Sequence, residues 1–325
     1  MKHIIIAVFF LLFFFSGCRQ KQEVQIKIGR FEQALFSVPI DSVGEYVPRL
    51  EKQYGELFDM YNQGVISIGP SNDPDYPEHL MNFLTDSYMN AAYRQVTKTY
   101  PDMSGIEEGL SKGFSKYHQY FPEKVIPSVY TLISGFNQTI IISDTILAIA
   151  LDKYLGKDEE MYIRLGLASY QRQLMDKKYI VSDCMKAWGY TEFPKSDSTD
   201  NVLSNILYEG KIAYYVSQVL PQTSDSIIFG YKPEQLNWCI NNTQQMWTYL
   251  VEKKMLYATD YLIINKLVGP GPFTTLFTRE SPGRAAVWLG YKIIQSYMKH
   301  NKVSLEELLL NNDYQGILAK AKFRP

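Results

Sequence analysis

Residues 201–220 read NVLSNILYEGKIAYYVSQVL. Wound at 3.6 residues per turn, Val202, Leu203, Ile206, Gly210, Ala213 and Tyr214 fall in one apolar arc, and Glu209 lies on the flank of that arc. A long helix with its apolar stripe toward a core is the reading, and Pro221 ends it. A carboxylate on the flank of such a stripe needs a partner, because burying it alone is costly. Glu209 could cap a neighbouring loop or pair with an internal Arg or Lys; a ligand-contacting role is the alternative.

Helical periodicity extends to both sides of this segment. Downstream, helices are predicted at about 233–254, 258–267, 284–299 and 304–320, with Pro270-Gly271-Pro272 as a rigid loop; one is predicted just upstream at about 177–190. In the first third, Ser42 with Glu45 makes a capping box for a helix to about Met60. Pro77 starts a helix from Glu78 to about Val96, and Ser104 with Glu107 makes another box. Between Val125 and Leu151, β-branched and aromatic residues cluster and are broken at Ser134-Gly135 and Ser143-Asp144, which predicts a small sheet of about three strands. Val24 to Ile28 alternates like a further strand. The fold class is therefore α+β, mainly α-helical with a small β-sheet, with no repeat or low-complexity linker dividing it.

Of the 325 residues 46% are hydrophobic, enough for a sizeable core. Lys plus Arg number 33 against 34 for Asp plus Glu, so no basic surplus exists to neutralise phosphates, and nucleic acid is not an expected partner.

The N-terminus has Lys2 and His3, then an uninterrupted apolar run from Ile4 to Phe15, then Ser16-Gly17-Cys18. The run is too short for a span of roughly 20 residues and fits the apolar region of a cleaved signal. Phe15-Ser16-Gly17-Cys18 resembles a lipobox. The expected organisation is a lipoprotein signal peptide over 1–17, a lipidated N-terminus and tether over 18–30 beginning at Cys18, and one globular domain over 31–325. A plain signal or an uncleaved anchor with an incidental cysteine would use the same residues. Several acyl chains would satisfy the requirement for more than one lipid signal in stable membrane anchoring. Cys184 and Cys239 could pair in an oxidising compartment or stay buried as free thiols.

Catalytic signatures are missing. The histidines, His3, His79, His118 and His300, form no HExxH pair, and no GxSxG, P-loop or GxGxxG stretch is present. Glu107-Glu108, Glu159-Glu160 and Glu306-Glu307 are adjacent in sequence, so on a helix their side chains diverge, as on solvated faces. Neither metal ligands nor a cofactor are expected, and no catalytic residue is assigned.

Four blocks together, SGFNQTIIISDTILAIALDKYLG (134–156), NILYEGKIAYYVSQVLP (205–221), GYKPEQLNWCINNTQQMW (230–247) and ESPGRAAVWLGYKIIQSYM (280–298), resemble the gliding-motility lipoprotein GldB family of Bacteroidota. That family is in turn distantly similar to predicted gluzincin-type zinc proteases, in which an HExxH helix precedes one carrying EG-x-A-x-Y. EGKIAYY matches the later helix and puts Glu209 where a third zinc ligand would stand, whereas YIVSDCMKAW (179–188) lacks the histidines and the glutamate base. The resemblance thus implies a degenerate zincin-like architecture without its catalytic apparatus. It implies a non-enzymatic envelope lipoprotein that binds a protein partner of the motility or secretion apparatus. A glycan- or peptide-binding lipoprotein, or a residual hydrolase, are the alternatives. Because Arg-Gln-Lys-Gln-Glu after Cys18 has no acidic cluster of the kind resembling a surface-export signal, a periplasm-facing placement is implied. The candidate cleft comprises Glu209, Tyr214, Arg284, Trp288 and Tyr291, with Arg279, Arg284 and Lys292 as candidate partners of Glu209.

Overall fold

The computed structural model describes residues 23–196 and 200–325, so Cys18 and the signal segment lie outside the described residues. The first half comprises β1 (Ile28–Arg30), α1 (Phe31–Phe36), α2 (Val43–Tyr54), α3 (Glu56–Met60), a π-helical turn (Tyr61–Val65), α4 (Tyr76–Thr85), α5 (Ser87–Thr99), α6 (Ser104–Tyr120), β2 (Ser128–Leu132), β3 (Ile140–Ile142) and β4 (Ile146–Ala150). After β4 the chain is helical: α7 (Glu160–Arg164), α8 (Ser169–Arg172), α9 (Ile180–Glu192), α10 (Val202–Val219), α11 (Asp225–Phe229), α12 (Pro233–Asn241), α13 (Thr243–Glu252), α14 (Tyr261–Val268), α15 (Ala285–His300), α16 (Leu305–Leu310) and α17 (Tyr314–Ala321). The fold is α+β and mainly helical, as the periodicity predicts.

The four strands lie in the order β1-β2-β4-β3, with β1, β2 and β4 parallel and β3 antiparallel to β4. β4, ILAIA, is buried throughout because helices cover both faces of the sheet, as its unbroken apolar run requires. Leu147 and Ile149 face the larger core with α5, α6, α9, α10 and α15, while Ile146, Ala148 and Ala150 face a second core with α1 to α4.

Several expectations need correction. The segment from Val24 to Lys27 is extended but pairs with no strand: alternate amides of Val24, Ile26 and Ile28 donate to Ser115 Oγ, Ser111 Oγ and Glu107 Oε1 of α6 at 2.9, 2.9 and 3.0 Å. Residues 24–30 are thus packed against the folded body, on α6 and in β1. Glu107 is consequently not free to close a capping box, and Asp102 accepts from Ser104 instead. Ser42 makes no side-chain cap. Glu159 caps α7 rather than lying free on a solvated face. Four predicted helices are each split in two, at Gly55, Asp86, Asn242 and Asn311–Asp313. Cys184 and Cys239 are free and buried.

The central helix α10 is buried well beyond its predicted arc, with Ser204, Leu207, Lys211, Tyr215 and Val219 also covered. Lys211 is enclosed; its Nζ donates to the carbonyls of Leu309 and Asn311 at 3.1 and 2.9 Å and lies over the Tyr314 ring. Burial pushes its pKa down to about 8 from 10.5. Between these values the unfolded chain keeps a proton that the folded chain has released, so Lys211's contribution to stability rises with pH across that window. The unfolding free energy of the native protein relative to Lys211→Met should therefore climb from about pH 8 to 10.5. A flat difference across that range would contradict it.

Candidate functional site

Glu209 occupies the middle of α10, and Arg284 is the residue that opens α15, in a left-handed conformation with φ of 61°. The two helices cross so closely that Gly210 touches the backbone of Gly290, which brings the start of α15 to Glu209. Arg284 Nη2 donates to Glu209 Oε2 at 2.7 Å, and Arg284 Nε donates to the Val268 carbonyl at 2.9 Å. Tyr190 of α9 donates its hydroxyl to the same Glu209 oxygen at 2.6 Å. The turn before Arg284 is held by Thr274, whose hydroxyl donates to the Pro282 carbonyl and accepts from the Ala285 amide. Of the three candidate partners only Arg284 is used. Arg279 is exposed, and Lys292 donates to Gln295 and lies over Trp288.

Asp183 and Lys186 complete the cluster from α9. Asp183 Oδ2 accepts from Tyr154 at 3.1 Å, and Lys186 Nζ donates to the Ile228 carbonyl at 2.8 Å. Burial pushes Asp183 upward, with Lys186 opposing it, and pushes Lys186 downward, with Asp183 opposing it. Burial also disfavours the Arg284 cation, but Glu209 and the nearby tyrosines outweigh it and hold its pKa above the ordinary value.

A cleft of about 370 Å³ opens above Asp183 and Arg284. Its walls include Tyr170, Leu174, Met175, Phe229, Gln235 and the Pro270-Gly271-Pro272 loop. Among the described residues Asp183 Oδ1 has no hydrogen-bond partner and is not sealed from solvent, so the floor offers a free acceptor, with the Arg284 guanidinium beside it lining the same cleft. Trp288 and Tyr291 are not walls of this cleft: each is 3% exposed and packs with Phe229 in the core. Tyr214 is half-buried beside Tyr291, also away from the opening. These aromatic residues stabilise the α10–α15 crossing. Asp183, Lys186 and Tyr190 were missed, although their i, i+3, i+7 spacing puts three polar groups on one face of an otherwise apolar helix.

Among the described residues no three His, Cys, Asp or Glu side chains converge on a point that could hold a metal. Within the cluster the oxygen donors are Asp183 and Glu209, and the position beside Glu209 is filled by a guanidinium. This donor set does not fit zinc. Glu209→Ala should cost about 2 kcal/mol, since it strands Arg284 and Tyr190 while the pair keeps partial exposure, 34% for Arg284 and 19% for Glu209. Glu306→Ala, on an exposed face, should melt like the native protein in the same denaturant titration.

A family model described as gliding motility protein GldB matches residues 18–325. The chain belongs to the GldB family. No curated protein and no solved structure matches it, so the zincin-like part of the expectation rests on sequence resemblance alone. GldB membership makes the chain a gliding-motility lipoprotein of the cell envelope by family. No helix among the described residues is long and apolar enough to cross a membrane.

Proposed function

We propose that this GldB-family chain is held to an envelope membrane by lipid on Cys18, faces the periplasm, and serves the gliding or secretion apparatus by binding a protein partner without catalysis. The observation that carries the binding reading is the cleft floor, where a fixed carboxylate with a free oxygen and a fixed guanidinium lie together beneath walls of mixed aromatic, apolar and amide side chains. Such convergent polar groups in a largely preformed concavity are the usual make-up of a recognition site. The non-catalytic reading is supported by Glu209, whose Oε2 accepts from both Arg284 and Tyr190, so that a guanidinium stands beside it where a metal ion would have to sit.

A photo-crosslinking side chain at Tyr170 in intact cells should capture one protein in stoichiometric yield, and Asp183→Ala with Arg284→Ala should abolish the adduct. An adduct that survives both substitutions would place recognition elsewhere. Tyr170 and three glutamines, Gln171, Gln173 and Gln235, line the cleft and favour a glycan or peptide as the second reading. Binding on a glycan array that is lost with Arg284→Ala would promote it. For the anchor, incorporation of a fatty-acid analogue should be lost in Cys18→Ser; equal label in both proteins would sink the lipobox assignment.

A further inference from the structure

The path of the first described residues is fixed by the α6 clamp. Followed backward from Ile28, the extended segment is bound at Glu107, then Ser111, then Ser115, so it runs toward the C-terminal end of α6. Five residues separate Val24 from Cys18, six steps along the chain and a reach of at most about 22 Å. Tyr120 lies five residues beyond Ser115, about 7 Å along the helix axis. The end of α6 is therefore within reach of any bilayer that holds a lipid on Cys18.

The surface at that end has interfacial chemistry. Tyr120 is 39% and Val125 51% exposed, with Lys116 one turn back on α6; within the turn Glu123 is exposed and Lys124 is paired with Glu192 at 2.7 Å. Tyrosine and lysine near an apolar side chain suit the headgroup layer, where the ring and alkyl stem enter and the polar tips stay wet. Other exposed apolar groups, Tyr257 with Tyr261 and Leu262, and Ile163 with Leu165, lie on elements that do not bind the 24–28 segment, whose amides go to α6.

We infer that the turn after α6, Tyr120 to Val125, is the surface that rests on the phospholipid bilayer carrying the anchor. This rests on the lipid-anchor reading of Cys18, and the test separates the two. The mature chain, with a hexahistidine tag in place of Cys18, is held on phosphatidylethanolamine–phosphatidylglycerol vesicles containing a nickel-chelating lipid and a headgroup-depth spin-labelled lipid. Fluorophores are placed one at a time at Val125→Cys, Leu165→Cys and Tyr261→Cys, in a chain whose own Cys184 and Cys239 are buried. The probe at 125 should be quenched about threefold more than the others, as a shallow interfacial contact requires, and Tyr120→Ser should reduce that quenching. Equal quenching at all three sites, or stronger quenching at 165 or 261, would overturn the inference. Absent fatty-acid label on Cys18 together with strong quenching at 125 would overturn the anchor and leave the docking face standing.

Discussion

Gly290→Ala is expected to destabilise the protein by about 3 kcal/mol or more, at the upper end of what overpacking costs. A Cβ on Gly290 would lie 1.9 Å from the Ile206 carbonyl oxygen and 2.8 Å from its carbon. On the facing helix, a Cβ on Gly210 would lie 2.4 Å from the Gly290 carbonyl carbon. Both obstacles are main chain, which cannot rotate away as a side chain would, so relief requires α10 and α15 to part. Parting them opens a core in which the two helices bury Ile206, Leu207, Ala286, Leu289 and Ile293. It also moves the start of α15 from Glu209, so the Arg284 contact and the cleft floor should loosen together. Gly105→Ala is the control: it is helical in α6 with open space around it, and should raise stability by about 0.5 kcal/mol. A Gly290→Ala protein with an unchanged denaturation midpoint would show that the helices can separate at little cost.

How far the sequence carried the fold depends on which force dominates locally. The burial of α10 and the clustering of three strands between Val125 and Leu151 follow from apolar pattern, which long buried elements display strongly. The splits within predicted helices do not, because Asp86 and Asn242 are ordinary helix-surface residues by pattern. Asp86 interrupts because its carboxylate caps Tyr88 and Met89, and α4 and α5 must turn to cover different cores. The Val24 to Ile28 segment shows the reverse: its alternation correctly marks extended backbone, but the hydrogen-bond partners are α6 side chains, which no local pattern reports. At the site, Glu209 is legible from an isolated carboxylate on an apolar flank, whereas Arg284 enters only as one of three candidate cations beside the family blocks. Trp288 and Tyr291 were misplaced because an aromatic residue reads alike in a core and in a cleft wall.

The second large effect is expected at Asp152, whose carboxylate is fully buried after β4 and organises the loop between β2 and β3. Its Oδ1 accepts from the Ser134 amide at 3.0 Å and its Oδ2 from the Phe136 amide at 2.6 Å, while the Ser134 hydroxyl lies 3.2 Å from Oδ2. Burial pushes this carboxyl upward and the two amides oppose that shift. The loop needs such a clamp because Gly135 and Phe136 both have positive φ, 67° and 65°, which for phenylalanine is strained and persists only when its surroundings enforce it. The same loop supports the cleft, since Lys153 donates to the Phe136 carbonyl at 3.0 Å and Lys153 lines the opening. Asp152→Ala removes both acceptors and leaves two amides unpaired, which should cost about 4 kcal/mol. Asp152→Asn keeps the shape but has one acceptor oxygen, so one amide would meet an NH2 group; about half that loss is expected. The graded order, native above Asn above Ala in denaturant midpoint, is the signature of two separate amide contacts. If Asn and Ala are equally destabilised, a single contact carries the loop; if Ala melts like the native protein, the clamp does not hold it at all.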